Sequence, residues 1–258
     1  MKINQTAAEK TDFLSERIRQ NESNQSLNLN EWAFGNISGS SEPLKILEYC
    51  CGTGKQTEYL RKFFPNAHLT CLDISEAAIQ AVKEATFFDA KKINAFASGM
   101  DEFVASNKLK FDLVFVSYGF YYAKDMDNVI LKTIELLNIG GKLIVLGPYG
   151  KNNKLLFDVV KSSGVKIEDF VTYSCTDYMH DKVIKLSLNS FEEFKINTAI
   201  NPVKWMSPTD VFLYWENTTF YDASKESIFQ EKIDNHFISK ESFIMEKHIM
   251  LFQGLKRK

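Results

Sequence analysis

The chain has 258 residues, is 45% hydrophobic and carries 31 Lys and Arg against 33 Asp and Glu, a formal charge of −2. A chain of this size can bury roughly 70 to 75% of its unfolded surface, and it lacks the basic excess of a protein whose main partner is a phosphate backbone, so DNA is not an expected partner. No window approaches the roughly 18 apolar residues of a membrane span, and the opening MKINQTAAEKTDF lacks the apolar run of a signal peptide; no membrane association and a cytoplasmic location are expected.

Residues 11–20, TDFLSERIRQ, read as an amphipathic helix, with Arg17 and Arg19 on its exposed face, and residues 21–43 as a mobile connection. Then a regular series begins. KILEY (45–49) is a strand, KQTEYLRKFF (55–64) a helix, HLTCLD (68–73) a strand, SEAAIQAVKEA (75–85) a helix and INAFA (93–97) a strand. FDLVFVS (111–117) is a strand, DNVILKTIELL (127–137) a helix, KLIVLG (142–147) a strand and NKLLFDVVKSS (153–163) a helix. Strands apolar on both faces and separated by helices indicate a parallel sheet covered on both sides, a doubly wound α/β fold. Ligands then gather at the carboxyl ends of the strands. Further on, residues 191–206 read as a strand, and Ser207, Pro208 and Asp210 mark a helix start, with a capping side chain, proline at the first position and an acid in the first turn.

The stretch KILEYCCGTGKQT (45–57) places a glycine turn at such a strand end. As a P-loop it fails, because Tyr49 stands where the first glycine belongs and Gln56 where Ser or Thr holds magnesium. As a dinucleotide fingerprint it starts at Gly52 and Gly54 but has Thr57 in the third position. A ligand without phosphate needs only the turn, a close backbone approach and an acid further on for ribose hydroxyls. Asp73, nineteen residues after Gly54 at the end of the second strand, supplies that acid. Cys50, Cys51, Cys71 and Cys175 show no C-x-x-C or Cys/His zinc spacing and read as reduced, packed thiols, so no metal is expected.

With these residues in view the chain resembles the class I S-adenosylmethionine-dependent methyltransferases over about residues 40–165 and the final strand. The family's first motif, acid-x-Gly-x-Gly-x-Gly, stands here as Glu48-Tyr49-Cys50-Cys51-Gly52-Thr53-Gly54, with Cys50 for the first glycine. LLNIGGKLIVLGP (136–148) is similar to the family's turn into its fifth strand, and KHIMLFQGLK (247–256) to its antiparallel last strand. The resemblance implies a seven-stranded Rossmann-like sheet, mostly parallel with an antiparallel last strand. It implies a partial lid from an N-terminal helix and connection (1–42), preceding a methyltransferase domain (43–258) with an acceptor-site insertion at about 165–245.

By the same resemblance Glu48 meets the amino-acid end of S-adenosyl-L-methionine directly or through water, Gly52, Thr53 and Gly54 pass beneath it, Asp73 accepts from both ribose hydroxyls, and Ile74 lies on the adenine. Adenine recognition falls either to the Ser98 hydroxyl and the Met100 backbone N–H, flanking Gly99, or to Asp101 through a shifted loop. Ser117, Tyr118, Tyr121 and Tyr122 follow the fourth strand, where cofactor and acceptor would meet, and His180 is the candidate general base. Trp205, Tyr214 and Trp215 either pack the core or line a pocket, and Arg17 or Arg19 could close over the cofactor carboxylate instead of facing solvent. The expected activity is methyl transfer to a small-molecule acceptor. An RNA or protein methyltransferase and a non-catalytic cofactor binder are the rival readings.

Overall fold

A computed structural model describes residues 11–257, with side chains from residue 16. The described chain forms two compact units. Of the described residues, one comprises 29–147, 178–198 and 250–257, the other 11–28, 148–177 and 199–249. The beginning of the segment expected to act as a lid, residues 1–10, lies outside the described residues.

The strands are β1 (Lys45–Tyr49), β2 (His68–Asp73), β3 (Ile93–Ala97), β4 (Phe111–Ser117), β5 (Leu137–Pro148), β6 (Phe191–Trp205) and β7 (Phe243–Lys256), in the order β3-β2-β1-β4-β5-β7-β6. The pairs β1–β2, β1–β4, β2–β3 and β4–β5 are parallel, and the last strands run antiparallel. The reversal of strand order beside β1 makes the carboxyl ends of β1 and β4 the switch point of the sheet. β1 is buried at Ile46, Leu47, Glu48 and Tyr49, the continuous burial of a strand covered on both faces.

Helices α1 (Thr11–Asn24), α2 (Leu29–Gly35), α3 (Lys55–Phe63), α4 (Glu76–Glu84), α5 (Met100–Ser106) and α6 (Met126–Leu136) precede β5. Helices α7 (Lys154–Ser162) and α8 (Asp169–Thr176) follow it. A π-helical stretch (Met179–Ile184) leads toward β6, and α9 (Pro208–Glu216) and α10 (Glu226–Ser239) lie between β6 and β7. The expected connection at 21–43 is therefore not all irregular. It contains the end of α1 and the whole of α2, which forms because Ala33 and Phe34 are buried and the Phe34 ring meets Tyr59, Phe63 and Phe115 at 5.1 to 5.5 Å. Tertiary burial overrides the polar, glycine- and serine-rich composition.

Between Phe111 and Leu113 the β4–β5 register jumps from Leu137 to Lys142, so β5 bulges around the positive-φ Gly140. The Lys256 ammonium closes the neighbouring end of α6, donating to the carbonyls of Ile134 and Leu137 at 2.8 Å, as a cation at a helix carboxyl end does favourably.

In the other unit, Leu156, Phe157, Val160, Trp205, Val211, Tyr214, Trp215, Phe229 and Ile233 belong to one buried cluster. Trp205 and Trp215 are core residues, the Trp215 ring stacked on Phe229 at 4.1 Å. The expected start of α9 stands, with the Ser207 hydroxyl accepting from the Asp210 N–H. Asn201 pins residues after α1: its Oδ1 accepts from the Leu27 N–H and its Nδ2 donates to the Leu27 carbonyl, both at 2.9 Å.

Candidate functional site

Left-handed backbone builds the turn after β1. Cys50, Gly52 and Gly54 have φ of 54°, 52° and 88°, a region that costs a side chain about 1 to 2 kcal/mol and glycine little. Cys50 stands where the related motif has glycine, and its conformation explains that preference. Three backbone donors hold the turn: Cys51 N–H to the Leu72 carbonyl, Gly54 N–H to the Cys51 carbonyl, and Gly52 N–H to Asp73 Oδ2, at 3.0, 3.0 and 2.9 Å. The other carboxylate oxygen, Asp73 Oδ1, accepts from the Ser75 N–H at 2.9 Å, and the Ser75 hydroxyl in turn caps α4. Asp73 thus ties the end of β2 both to the glycine turn and to the next helix.

A carboxylate has about four lone-pair directions, so two acceptor positions remain on Asp73 after these bonds. The ground before it is open. A Cβ placed on Gly52 would meet nothing within 4 Å, and the adjacent Ile74 is 59% exposed. Gly54 is different, since a Cβ there would lie 2.7 Å from the Phe87 ring and 3.1 Å from Val82. Its role is close packing of the turn as well as conformation. Thr53 is exposed between the two.

Glu48 and Tyr49 point to opposite faces of the sheet because side chains alternate along a strand. Glu48 is 1% exposed and accepts the Thr57 hydroxyl at 2.7 Å; burial pushes its carboxyl up to about 7, against the pull of the Thr57 and Cys71 hydrogen bonds. Tyr49 accepts the Thr133 hydroxyl at 3.3 Å, and burial pushes its phenol up. Thr57, completely buried on α3, is the hydrogen-bond partner of Glu48, a place the sequence reading did not give it. Its signal was a hydroxyl on the inward face of a helix nine residues after a buried acid.

The Ser98 N–H donates to the Asp73 carbonyl at 2.9 Å, which brings the end of β3 beside the end of β2. Gly99 precedes α5 without a side-chain cap, and Met100 is buried in its first turn. The Glu102 carboxylate folds back over Gly99, where a Cβ would clash with it. The two oxygens of Asp101 accept from the Lys124 and Asp125 N–H groups at 3.0 Å, one on each.

At the end of β4, Ser117 pairs in register with Leu146, and Tyr118 turns the chain with φ 52° while its N–H donates to the Leu146 carbonyl at 2.8 Å. A Cβ on Gly119 would be 3.0 Å from Cys50 Sγ, so the cysteine occupies the room above that turn. The Tyr121 ring lies 4.6 Å from Tyr122 and 5.1 Å from Tyr178; Tyr122 is 46% exposed and Tyr178 is buried. Tyr178 lies so close over Gly147 at the end of β5 that a Cβ there would strike its hydroxyl, and sequence reading did not single it out. His180 is exposed, with Nδ1 2.9 Å from Asp181, which also takes the Lys185 ammonium at 2.9 Å. These hydrogen bonds hold the Asp181 carboxyl below the usual carboxylate range. The structure brings Gly52, Asp73, Ile74 and Ser98 together, and Cys50 with Gly119; the hydrogen bond of His180 goes to Asp181 rather than to a strand end.

A methyltransferase-domain family model matches residues 47–143, the span from β1 into β5. The chain is 31% identical over 126 residues to malonyl-[acyl-carrier protein] O-methyltransferase 1 of Ilyobacter polytropus, covering 49% of this chain and 45% of that one. It is 29% identical over 220 residues to malonyl-[acyl-carrier protein] O-methyltransferase 2 of the same organism, covering 83% of each. The chain thus spans under half of the first relative's length. Among solved structures, the YcgJ protein of Bacillus subtilis superposes with a TM-score of 0.57 at 12% identity, over 89% of this chain and 98% of that one, a likeness of fold. Among the described residues no helix is long and apolar enough to cross a membrane.

Proposed function

We propose, for a chain that belongs to the class I S-adenosylmethionine-dependent methyltransferases, that it transfers a methyl group to a small-molecule acceptor by in-line displacement. The observation that carries this reading is the junction of Gly52 with Asp73: a backbone turn with open ground above it, fixed to a carboxylate that keeps two acceptor positions. That combination fits an adenosyl group, whose ribose presents two donors and whose passage needs bare backbone.

S-adenosylmethionine supplies a methyl group on a sulfonium, a leaving group that is already activated. In this reading Asp73 holds the ribose hydroxyls, Ile74 covers one face of the adenine, and Gly52 to Gly54 let the chain pass close beneath. The Ser98 hydroxyl and the Met100 N–H serve the adenine edge, or Asp101 does through the acceptor positions left beside its bonds to the Lys124 and Asp125 N–H groups. Glu48 serves the amino-acid end, directly or through water. Ser117, Tyr118 and Tyr122 bound the transfer edge, and alignment of two reactants in a dry pocket can supply about 7 to 11 kcal/mol of barrier reduction. Where the acceptor arrives protonated, His180 takes the proton at Nε2, its Nδ1 being oriented by Asp181.

A second reading places the acceptor on an acyl carrier protein, and the alignment with malonyl-[acyl-carrier protein] O-methyltransferase 2 over 83% of both chains favours it. Calorimetry with S-adenosylhomocysteine tests the cofactor site, and release of that product over a panel of free acids, quinones and carrier thioesters separates the two acceptor classes. No binding heat at millimolar concentration would overturn the proposal. Binding without turnover on any acceptor would leave a cofactor-binding protein, and turnover only on RNA or protein would replace the acceptor class.

A further inference from the structure

Strand β6 stands at one end of the sheet, so one of its long edges has no neighbouring strand. Among the described residues that edge is covered at its later part, by the bridge of Gln25 with Val203 and by the Ser26 N–H on the Pro202 carbonyl at 3.1 Å. The stretch before it, residues 190–198, reads SFEEFKINT and contains neither proline nor glycine. Glu192, Glu193, Phe194, Lys195 and Ile196 are exposed one after another, so this part of the strand meets solvent on both faces.

One face is apolar. Phe194 is 49% and Ile196 38% exposed, two residues apart and therefore on the same side, and the Phe194 ring is backed by Phe252 of β7, stacked at 6.2 Å. The strand is also anchored: the buried Phe191 ring lies so close to Gly254 that a Cβ there would meet it at 2.8 Å, and the Phe191 carbonyl accepts from Arg257 Nε at 3.0 Å. A fixed, unpaired apolar edge is a template for another strand, which proteins usually discourage with proline, a bulge or charges that repel a second copy. Here the order of the charges does the reverse. When the strand pairs antiparallel with its own copy about a two-fold axis at Phe194, Glu193 of each copy faces Lys195 of the other, and on the opposite face the two Phe194 rings meet with an Ile196 diagonal to each. Moving the axis one residue either way sets Glu193 against Glu193 or Lys195 against Lys195, so charge selects the register.

We propose that residues 190–198 of β6 are a self-association surface, where a second copy of this chain adds its own β6 antiparallel about Phe194 and continues the sheet across the pair. The contact is isologous, with each strand giving the other the same residues it receives. Three strands, β4, β5 and β7, separate this edge from β1, and the pairing requires neither cofactor nor transfer chemistry, so its test is separate from that of the proposed function.

The test is sedimentation velocity of the full chain from about 1 to 500 μM, a range suited to a small interface. A concentration-dependent exchange of monomer and dimer is expected, and a monomer throughout overturns the proposal. Glu193→Lys and Lys195→Glu each set like charges opposite one another twice, and each should weaken self-association at least about tenfold. Mixed in equal amounts, these two variants should form a mixed dimer about as tight as the native one, because every charge again faces its opposite. One chain carrying both substitutions should self-associate as the native chain does. Both positions are exposed, and circular dichroism checks that each variant is folded. A dimer that neither single substitution weakens, or one that mixing the two variants does not restore, overturns the proposal.

Discussion

Replacing Glu48 with Gln should make the protein more stable at alkaline pH and remove most of a pH dependence that the native chain carries. Glu48 is buried beside β1, and burial raises its carboxyl from the ordinary 4.5 to about 7. The folded state therefore holds a proton that the unfolded chain gives up at lower pH. The stability associated with that proton is fully present below about 4.5 and is lost as pH rises through about 7. At about 1.4 kcal/mol for each pH unit the loss is on the order of 3 kcal/mol, equivalent to roughly 6 to 12 °C in melting temperature for a chain of this size. Glutamine keeps the shape and an oxygen to accept from the Thr57 hydroxyl, 2.7 Å from Glu48 in the native chain, but never ionises. Thermal and urea unfolding of both proteins between about pH 5 and pH 8 measures the difference, which should be small at the acid end and grow with pH. A difference that stays constant across that window would show that Glu48 is ionised in the folded protein throughout, and the reasoning from burial would fail.

Asp73→Ala removes two charge-assisted hydrogen bonds, to the Gly52 and Ser75 N–H groups, as well as the proposed ribose acceptor; stability should fall by about 1 to 3 kcal/mol after allowance for partial exposure, and S-adenosylhomocysteine affinity by at least about tenfold in calorimetry. Gly54→Ala, with its Cβ forced toward Phe87 at φ 88°, should cost more by denaturant melting than Gly52→Ala, whose Cβ meets only open space at φ 52° and which should lose about 1 to 2 kcal/mol. Equal losses would mean the Phe87 contact relaxes freely. Ser207→Ala deletes the cap of α9 and should lower stability by about 1 kcal/mol, read from the urea midpoint. His180→Asn should lower kcat while S-adenosylhomocysteine affinity stays unchanged; equal kcat in both proteins removes the histidine as base.

The parallel half of the sheet was legible because each strand is a short apolar run followed by a helix of clear periodicity, and of the Gly52, Gly54 and Asp73 set the structure joins Gly52 and Asp73 directly through the Gly52 N–H. Three features were not legible, each for a physical reason. Helix α2 sits in a polar, serine-rich stretch and exists because Phe34 finds three aromatic neighbours that are distant in sequence. The engagement of Asp101 depends on the backbone donors of Lys124 and Asp125, more than twenty residues away and invisible to local pattern. Arg17 reads by periodicity as a solvated residue, yet its Nε is buried and its charge acts on the buried Tyr214 phenol from far along the chain. Long-range packing decided all three, and one-dimensional periodicity carries no record of it.

Strand β7 lies between β5 and β6 although it follows both in the chain. During synthesis β6 consequently emerges before its sheet neighbour, with the segment at 25–27 already made to hydrogen-bond its 201–203 stretch, and a helix pair must be made before the missing strand arrives. A nascent chain can assemble β1 to β5 as it is produced, but it must carry most of β6 unpaired until β7 slots in. That interval is when a chaperone would find most to bind, and when a stray β6 from another copy would compete most effectively for the vacant place.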